Sequence, residues 1–314
     1  MVSQVVETGC KARDWSKYNQ SLVNRGDITL WFADDLIESW NHENGEPKVG
    51  RPFIYSDSTI ECLLMIREFF RLPYRQTEGL GKALLKLAAI DVKVPDFTSL
   101  AKRAANFDVT IRVAEAKGPI DIVVDSTGLK VFGEGEWKVR QHGAGKRRTW
   151  RKVHLAVDPN THEIVAALTT ENSVHDVAAV KPLLNQIKEP VKSFRADGIY
   201  DTHGVYETLV NEKIDPIIPP RSNARTAQHG NARQEPSHRD CAIRTVKKAG
   251  LRFWKKETGY HKRSLAETAM FRMKNTFGDR LKNRLIKNQI TEVAIKCKML
   301  NLFLAIAVPI ACSS

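Results

Sequence analysis

Paired cysteines are missing from this 314-residue chain. Cys10, Cys62, Cys241, Cys297 and Cys312 are odd in number and scattered, with no C-x-x-C pair and no histidine at ligand spacing beside them. That excludes a disulfide framework and a zinc ribbon, and suits a reducing compartment. The opening MVSQVVETGCKARDW lacks a basic start followed by an apolar run, so no secretory signal is expected. One long apolar tract exists, Met299 to Cys312. It is too short for a bilayer span, contains Pro309, and reads as the end of a buried helix. Internal repeats and low-complexity tracts are also lacking, which argues against a solenoid and against wholesale disorder. A cytoplasmic protein with no membrane partner is expected.

What the chain does have is positive charge, +13 in all, and it is unevenly placed. Residues 1–117 carry 16 basic and 16 acidic side chains, whereas residues 118–314 carry 33 and 20. The whole excess therefore lies in the second part and points to a polyanionic partner. Two clusters concentrate it. Lys138 to Lys152 holds seven basic residues and no acid, among them Lys146, Arg147, Arg148, Arg151 and Lys152. Arg244 to Arg263 holds eight, including Lys255 and Lys256, with Phe253, Trp254 and Tyr260 interleaved. Basic side chains neutralise phosphates and aromatic rings stack on unpaired bases. Trp254 is a candidate for such stacking, with burial in a core as the competing reading.

Hydrophobic spacing divides the chain near residue 118. Before it the pattern is helical. An amphipathic stretch covers 27–44, Asp57 to Arg71 places Ile60, Leu63, Leu64, Phe69 and Phe70 at helical spacing, and a second helix runs from about Gln76 to Ala89. Thr98 or Ser99 is the expected cap of a third, carrying Lys102 and Arg103. Short successive helices suit a helix-turn-helix-like module, or simply a three-helix packing without DNA. Beyond 118, strands are predicted at 120–131, 150–157, 163–168, 192–196 and 216–218, with helices at 176–188 and 202–213 between them. Residues 220–240 are polar and read as a loop or small insertion. Long helices follow at about 262–279 and 292–307. Five strands interleaved with helices indicate a mixed α/β sheet with helices on its faces.

Among the acids, Asp125 follows the apolar run Ile122-Val123-Val124, and Asp197 closes the fourth strand beside Gly198. Carboxylates at strand ends share a cleft in which each loses hydration unless a cation compensates, and oxygen donors of this kind hold divalent metals. Asp201, as a helix N-cap, Asp158, in a Pro-Asn turn, and Asp121, near the start of its strand, are given structural readings. On the long helix, Tyr260, Arg263, Glu267 and Lys274 fall at i, i+3, i+7 and i+14 and form a polar stripe. Leu265, Ala266, Ala269, Met273 and Phe277 take the core-facing arc. Glu267 has Phe271, not a cation, at i+4, so its use is expected outside the helix.

The spacing Tyr260-x2-Arg263-x3-Glu267-x6-Lys274 resembles the Y-x2-R-x3-E-x6-K motif of bacterial insertion-sequence DDE transposases. The stretch GYHKRSLAETAMFRMKNTFG (259–278) is similar to the insertion-sequence-five family in particular, as are VDSTGLKV (124–131), RADGIYD (195–201), IIPPRSNAR (217–225) and DWSKYNQSLVNRG (from Asp14). The resemblance implies an RNase H-like core at 118–308, with an insertion at about 220–255, behind a helical end-binding domain at 1–117. It also implies a triad of Asp125, Asp197 and Glu267 on two Mg²⁺ or Mn²⁺ ions, Asp125 bridging both, Asp197 on one and Glu267 on the other. The implied activity is cleavage and joining of DNA at the terminal inverted repeats of an element. By analogy, Tyr260, Arg263 and Lys274 would grip the terminal strand, and the two basic clusters would contact flanking DNA. Double-stranded DNA, and at least a homodimer near the bacterial nucleoid, are the implied partners; no small-molecule substrate is. The rivals are an RNase H-like nuclease that cuts without joining, and a non-catalytic DNA-binding protein or decayed transposase.

Overall fold

In a computed structural model, residues 15–32, 35–43, 52–111, 118–131, 150–227 and 236–306 are described. Much of the first basic cluster, including Lys146, Arg147 and Arg148, lies outside them. The centre is β1 (Ile120–Val131), a twelve-residue strand. Ile122, Val123 and Val124 are all fully buried, so both faces of the strand are covered, as a strand between two helical layers requires. β2 (Trp150–Val157) and β3 (Ile164–Glu171) follow antiparallel on one side. β4 (Val191–Arg195) and β5 (Asp215–Ile217) add parallel on the other, giving the order β3-β2-β1-β4-β5. The five expected strands are present, and a sixth joins them. Two-residue β6 (Arg280–Leu281) pairs parallel with Lys130 and Val131 at the end of β1. It is too short to carry any periodicity.

Helices cover both faces. From β3 to β4 the chain passes through a 3-10 turn, Asp176–Ala179, and a short helix, Val180–Leu184. The single helix expected at 176–188 is broken because Pro182 fits only within a first helical turn. A helix at His203–Asn211 links β4 to β5. Within the insertion expected at about 220–255, the described residues form helices His238–Ala249 and Leu251–Glu257, hinged at Gly250 with φ +88°. The expected helix over 262–279 begins as a 3-10 turn, Tyr260–Arg263, and is α-helical only over Ser264–Phe277, ending at Gly278 with φ +85°. The last helix, Ile286–Ile306, runs 21 residues. No helix among the described residues is long and apolar enough to cross a membrane.

The N-terminal region is helical at Trp15–Asn24, Asp57–Phe69, Tyr74–Leu87 and Phe97–Ala104. The third cap is Asp96, not Thr98 or Ser99; its carboxylate accepts from both of their backbone N–H groups at 2.9 Å. The amphipathic stretch over 27–44 does not become a helix. It makes a 3-10 turn, Ile28–Trp31, and a turn near 35–39, because the indoles of Trp31 and Trp40 are buried and anchored to the carbonyls of Arg25 and Lys93.

These helices share one core with a face of the sheet. Trp31, Ile60, Leu63, Val123, Leu155, Met273 and Phe303 belong to a single apolar cluster, while Ile122, Val124, Phe194 and Leu209 form a second on the opposite face. The last helix joins the two parts. Asn301 exchanges two 2.8 Å hydrogen bonds with the backbone of Ile164 in β3, and Thr291 donates to the carbonyl of Ala104 at 2.7 Å. Between it and Asp57–Phe69 lies a buried ionic network. Glu292 accepts from Lys296 Nζ at 2.7 Å, from Asn283 Nδ2 at 2.8 Å and from the backbone N–H groups of Lys282 and Asn283. Lys296 lies 3.7 Å from Glu68, which pairs with Arg67. Burial pushes Glu68 upward, and so does neighbouring Glu292; Glu292 itself, although buried, is held below its ordinary value by Lys296.

Breaking one member of such a network leaves the others charged and unpaired. Glu292→Ala is expected to lower the unfolding free energy by about 3–5 kcal/mol in urea titration. Retention of wild-type stability would show that water replaces the lost carboxylate.

Candidate active site

Parallel pairing brings the two aspartates together. Val123 is in register with Arg195 across β1 and β4. Asp125 lies two residues further along β1, and Asp197 two residues past Arg195, beyond the end of β4, where it caps the turn Gly198–Tyr200 near enough to act on the Asp125 carboxyl. Asp125 shares a sheet face with Val123, since side chains alternate. That is the face covered by the helix Ser264–Phe277, whose first turn carries Glu267.

Arg263 joins the two elements. Its guanidinium donates to Asp125 Oδ2 at 2.8 Å and to Glu267 Oε1 at 2.7 Å. Glu267 thus has a cation at i−4, where the sequence reading considered only i+4. The spacing of a helical ion pair was present in the chain and was the signal for it. Asp125 also accepts from the backbone N–H of Ser126 at 2.8 Å, and Asp197 from that of Ile199 at 2.9 Å. Burial raises the Asp125 carboxyl above its ordinary value, and Asp197 adds to the rise; Ser126 and Arg263 oppose it without cancelling it. For Arg263, burial acts downward, but Asp125, Tyr260 and Glu267 raise the guanidinium overall. Two carboxylates therefore hold one fixed positive charge between them, with Asp197 adding to the local negative potential.

Hard oxygen donors on adjacent strand and helix ends are the right chemistry for Mg²⁺ or Mn²⁺. The fit is visible in Arg263 itself, a cation seated between two of the three carboxylates. Among the described residues no three acidic, histidine or cysteine side chains are drawn close enough to hold an ion as they stand. Glu267 is the adjustable member, with a side chain 55% exposed on the first helical turn.

The remaining candidates fall into three groups. Lys255 and Lys256 are exposed, and Lys274 is half-buried on the stripe. Arg151 and Lys152 are engaged within the fold: Arg151 Nε donates to Gln289 at 2.8 Å, and Lys152 Nζ donates to the carbonyl of Val174 at 2.8 Å and pairs with Asp176. Trp254 is only 5% exposed and packs with Tyr260, ring centroids 5.8 Å apart, so it is a core residue and not a base-stacking platform. Tyr260 is buried with it, on the 3-10 turn, not on the exposed stripe.

Asp201 is no helix cap. Thr202 occupies that position, and Asp201 receives Arg239 Nε at 2.7 Å and the backbone N–H of Arg221 at 2.9 Å. This buried pair, unread in the sequence because its partners lie 20 and 38 residues away, fastens the insertion beside Asp197. Asp158 does sit in its turn, accepting from Asn160 N–H, and Asp121 is taken up by Ser193 and Arg195.

A strand-end acidic pair facing a helical glutamate defines a carboxylate-based site on a mixed α/β sheet. Family comparison supplies the rest. Two models described as "Transposase DDE domain" match residues 23–134 and 116–304, the second alone more than half of the chain. The chain belongs to the DDE transposases. Among solved structures, a piggyBac transposase synaptic complex with hairpin DNA aligns at 14% identity over 91% of this chain and 80% of the other, with a TM-score of 0.37. The Mos1 strand transfer complex aligns at 9% identity over 85% and 83%, with a TM-score of 0.22.

Because Asp125 titrates above its ordinary value, its ionisation opposes folding. Its contribution is full below the unfolded carboxyl value, about pH 4, and is lost as pH rises through the folded one. Asp125→Asn is expected to raise the melting temperature at pH 7 in chelator, with the difference vanishing in acid. A lower melting temperature at pH 7 would show that the Arg263 pair outweighs burial.

Proposed function

We propose that this transposase binds the terminal inverted repeats of an insertion sequence of the insertion-sequence-five kind and cuts and joins DNA there. The observation that carries the reading is the placing of Asp125 and Asp197 just past the paired Val123 and Arg195, with Glu267 tied to Asp125 through Arg263. Asp125, Asp197 and Glu267 would hold the divalent ions. When bound, these supply an activated water or 3′-hydroxyl for in-line attack and stabilise the leaving oxygen.

The chain's own residues do the positioning. Asp125 and Asp197 are set by neighbouring strands, so their separation is a property of the sheet. Arg263 neutralises the site before ions arrive and, once released from the carboxylates, has a phosphate within reach of the same atoms. Lys274, two turns along the helix, offers a second contact to the strand. Tyr260 anchors the turn that carries Arg263 by packing on Trp254. Residues 1–117, the exposed Lys102 included, are proposed as the end-binding region, although Arg103 pairs with Asp57 and stacks on Phe53. The insertion near 220–255 is proposed to contact flanking DNA through Lys255 and Lys256.

Asp125→Asn, Asp197→Asn and Glu267→Gln are each expected to drop Mg²⁺-dependent cutting of labelled end DNA to background while binding persists. Full cutting by any of the three removes it from the site. A joining assay with pre-cleaved ends separates a transposase from a nuclease that only cuts. Lys274→Ala is expected to reduce the slope of log K against log salt by about 0.9, the value of one phosphate contact. An unchanged slope would leave Lys274 as a solvated helix residue.

A further inference from the structure

A groove of about 920 Å³ separates the N-terminal helices from the connection between the last two helices. Arg75, Tyr74 and Phe97 line one wall, and Arg280, Lys282 and Arg284 line the other. Asp279 is its one acid among the lining residues, and that carboxylate is paired with Lys130. Arg71, also lining the groove, donates to the carbonyls of Asn275 and Thr276, capping the negative end of the helix Ser264–Phe277 and turning that end into a neutral rim. Arg75 lies over the ring of Phe97, 4.6 Å from its centroid, and both Arg75 and Arg284 are exposed. Lys282 adds an observation of another kind. Its Nζ is buried, makes no hydrogen bond, and is not satisfied by the nearby carboxylates of Glu68 and Glu292. A buried ammonium without an acceptor is costly unless an anion arrives.

The groove is also at a definite distance from the acids. Gly278, on its rim, follows Glu267 by eleven residues, about 16 Å along a helix. A duplex lying along this helix rises about 3.4 Å per nucleotide on its own axis and so would span about five nucleotides over that length. Lys274 lies between the two ends.

We propose that this groove is a second backbone site that grips duplex DNA about five nucleotides from the scissile phosphate. It rests on the transposase reading of the acidic site and adds a clamp contributed jointly by the N-terminal helices and the α/β part. A clamp spanning both parts holds the DNA only when the two are packed as described, so binding reports their union.

The test uses the full chain and fluorescein-labelled duplex carrying the terminal inverted repeat. Arg75→Glu combined with Arg284→Glu, both exposed and therefore compatible with folding, is compared with Lys192→Glu, an exposed cation away from the groove. The groove variant is expected to bind at least tenfold more weakly, with the salt slope reduced by about 1.8, the value of two phosphate contacts. Uncharged methylphosphonates placed four to six nucleotides from the cut should weaken the wild type and leave the variant unchanged. Binding and slope equal to those of Lys192→Glu would overturn the groove while leaving the acidic site untouched. Failure of the wild type to bind any duplex would overturn the underlying reading itself.

Discussion

Parallel register between β1 and β4 is the constraint on which the site depends. Val123 is opposite Arg195 where β4 ends, and the chain places an aspartate two residues beyond each. Side-chain alternation then decides which layer of helices they face. Residues at 122 and 124 point into one core, and those at 123 and 125 into the other, so the glutamate must come from the helix on that second side. A one-residue slip of β1 would turn Asp125 into the apolar layer formed by Phe194 and Leu209. The apolar residues flanking them therefore guard the register, and the chemistry inherits it.

Electrostatics complete what register begins. Three carboxylates on adjacent elements repel one another, and two of them lie within reach of a single guanidinium. Arg263 makes that crowding tolerable by lending one positive charge to both Asp125 and Glu267. Its arrangement lets three carboxylates converge on one side of the sheet without an added cation. It also explains why Glu267 remains exposed: the helix it occupies touches the sheet through Ala266, Ala269 and Met273, leaving the acid at the margin.

The sheet was largely legible in the chain because apolar runs such as IDIVV and alternation such as that over 150–157 are strong signals of strands buried on one or both faces. The aspartates were legible for the same reason, being the polar interruptions at the ends of those runs. Other features depend on contacts between distant residues. The pairing of Asp201 with Arg239 and the burial of Trp254 have no local signature. The stretch near 27–44 carries helical periodicity, yet tertiary anchoring of two indoles overrides it. Nor did the helical stripe reveal that Tyr260 turns inward, since the idealised wheel assumes an α-helix where the chain makes a 3-10 turn. The family motif located the acids, whereas only the folded arrangement shows that Arg263 binds them to each other.

The last helix serves as the common floor for the N-terminal helices and the sheet, and that has an evolutionary corollary. A frameshift or deletion upstream of Ile286 would not leave a free-standing N-terminal fragment, because Ile60, Leu63 and Leu100 would lose the surface that covers them. The N-terminal helices thus depend for their burial on residues more than two hundred positions later in the chain.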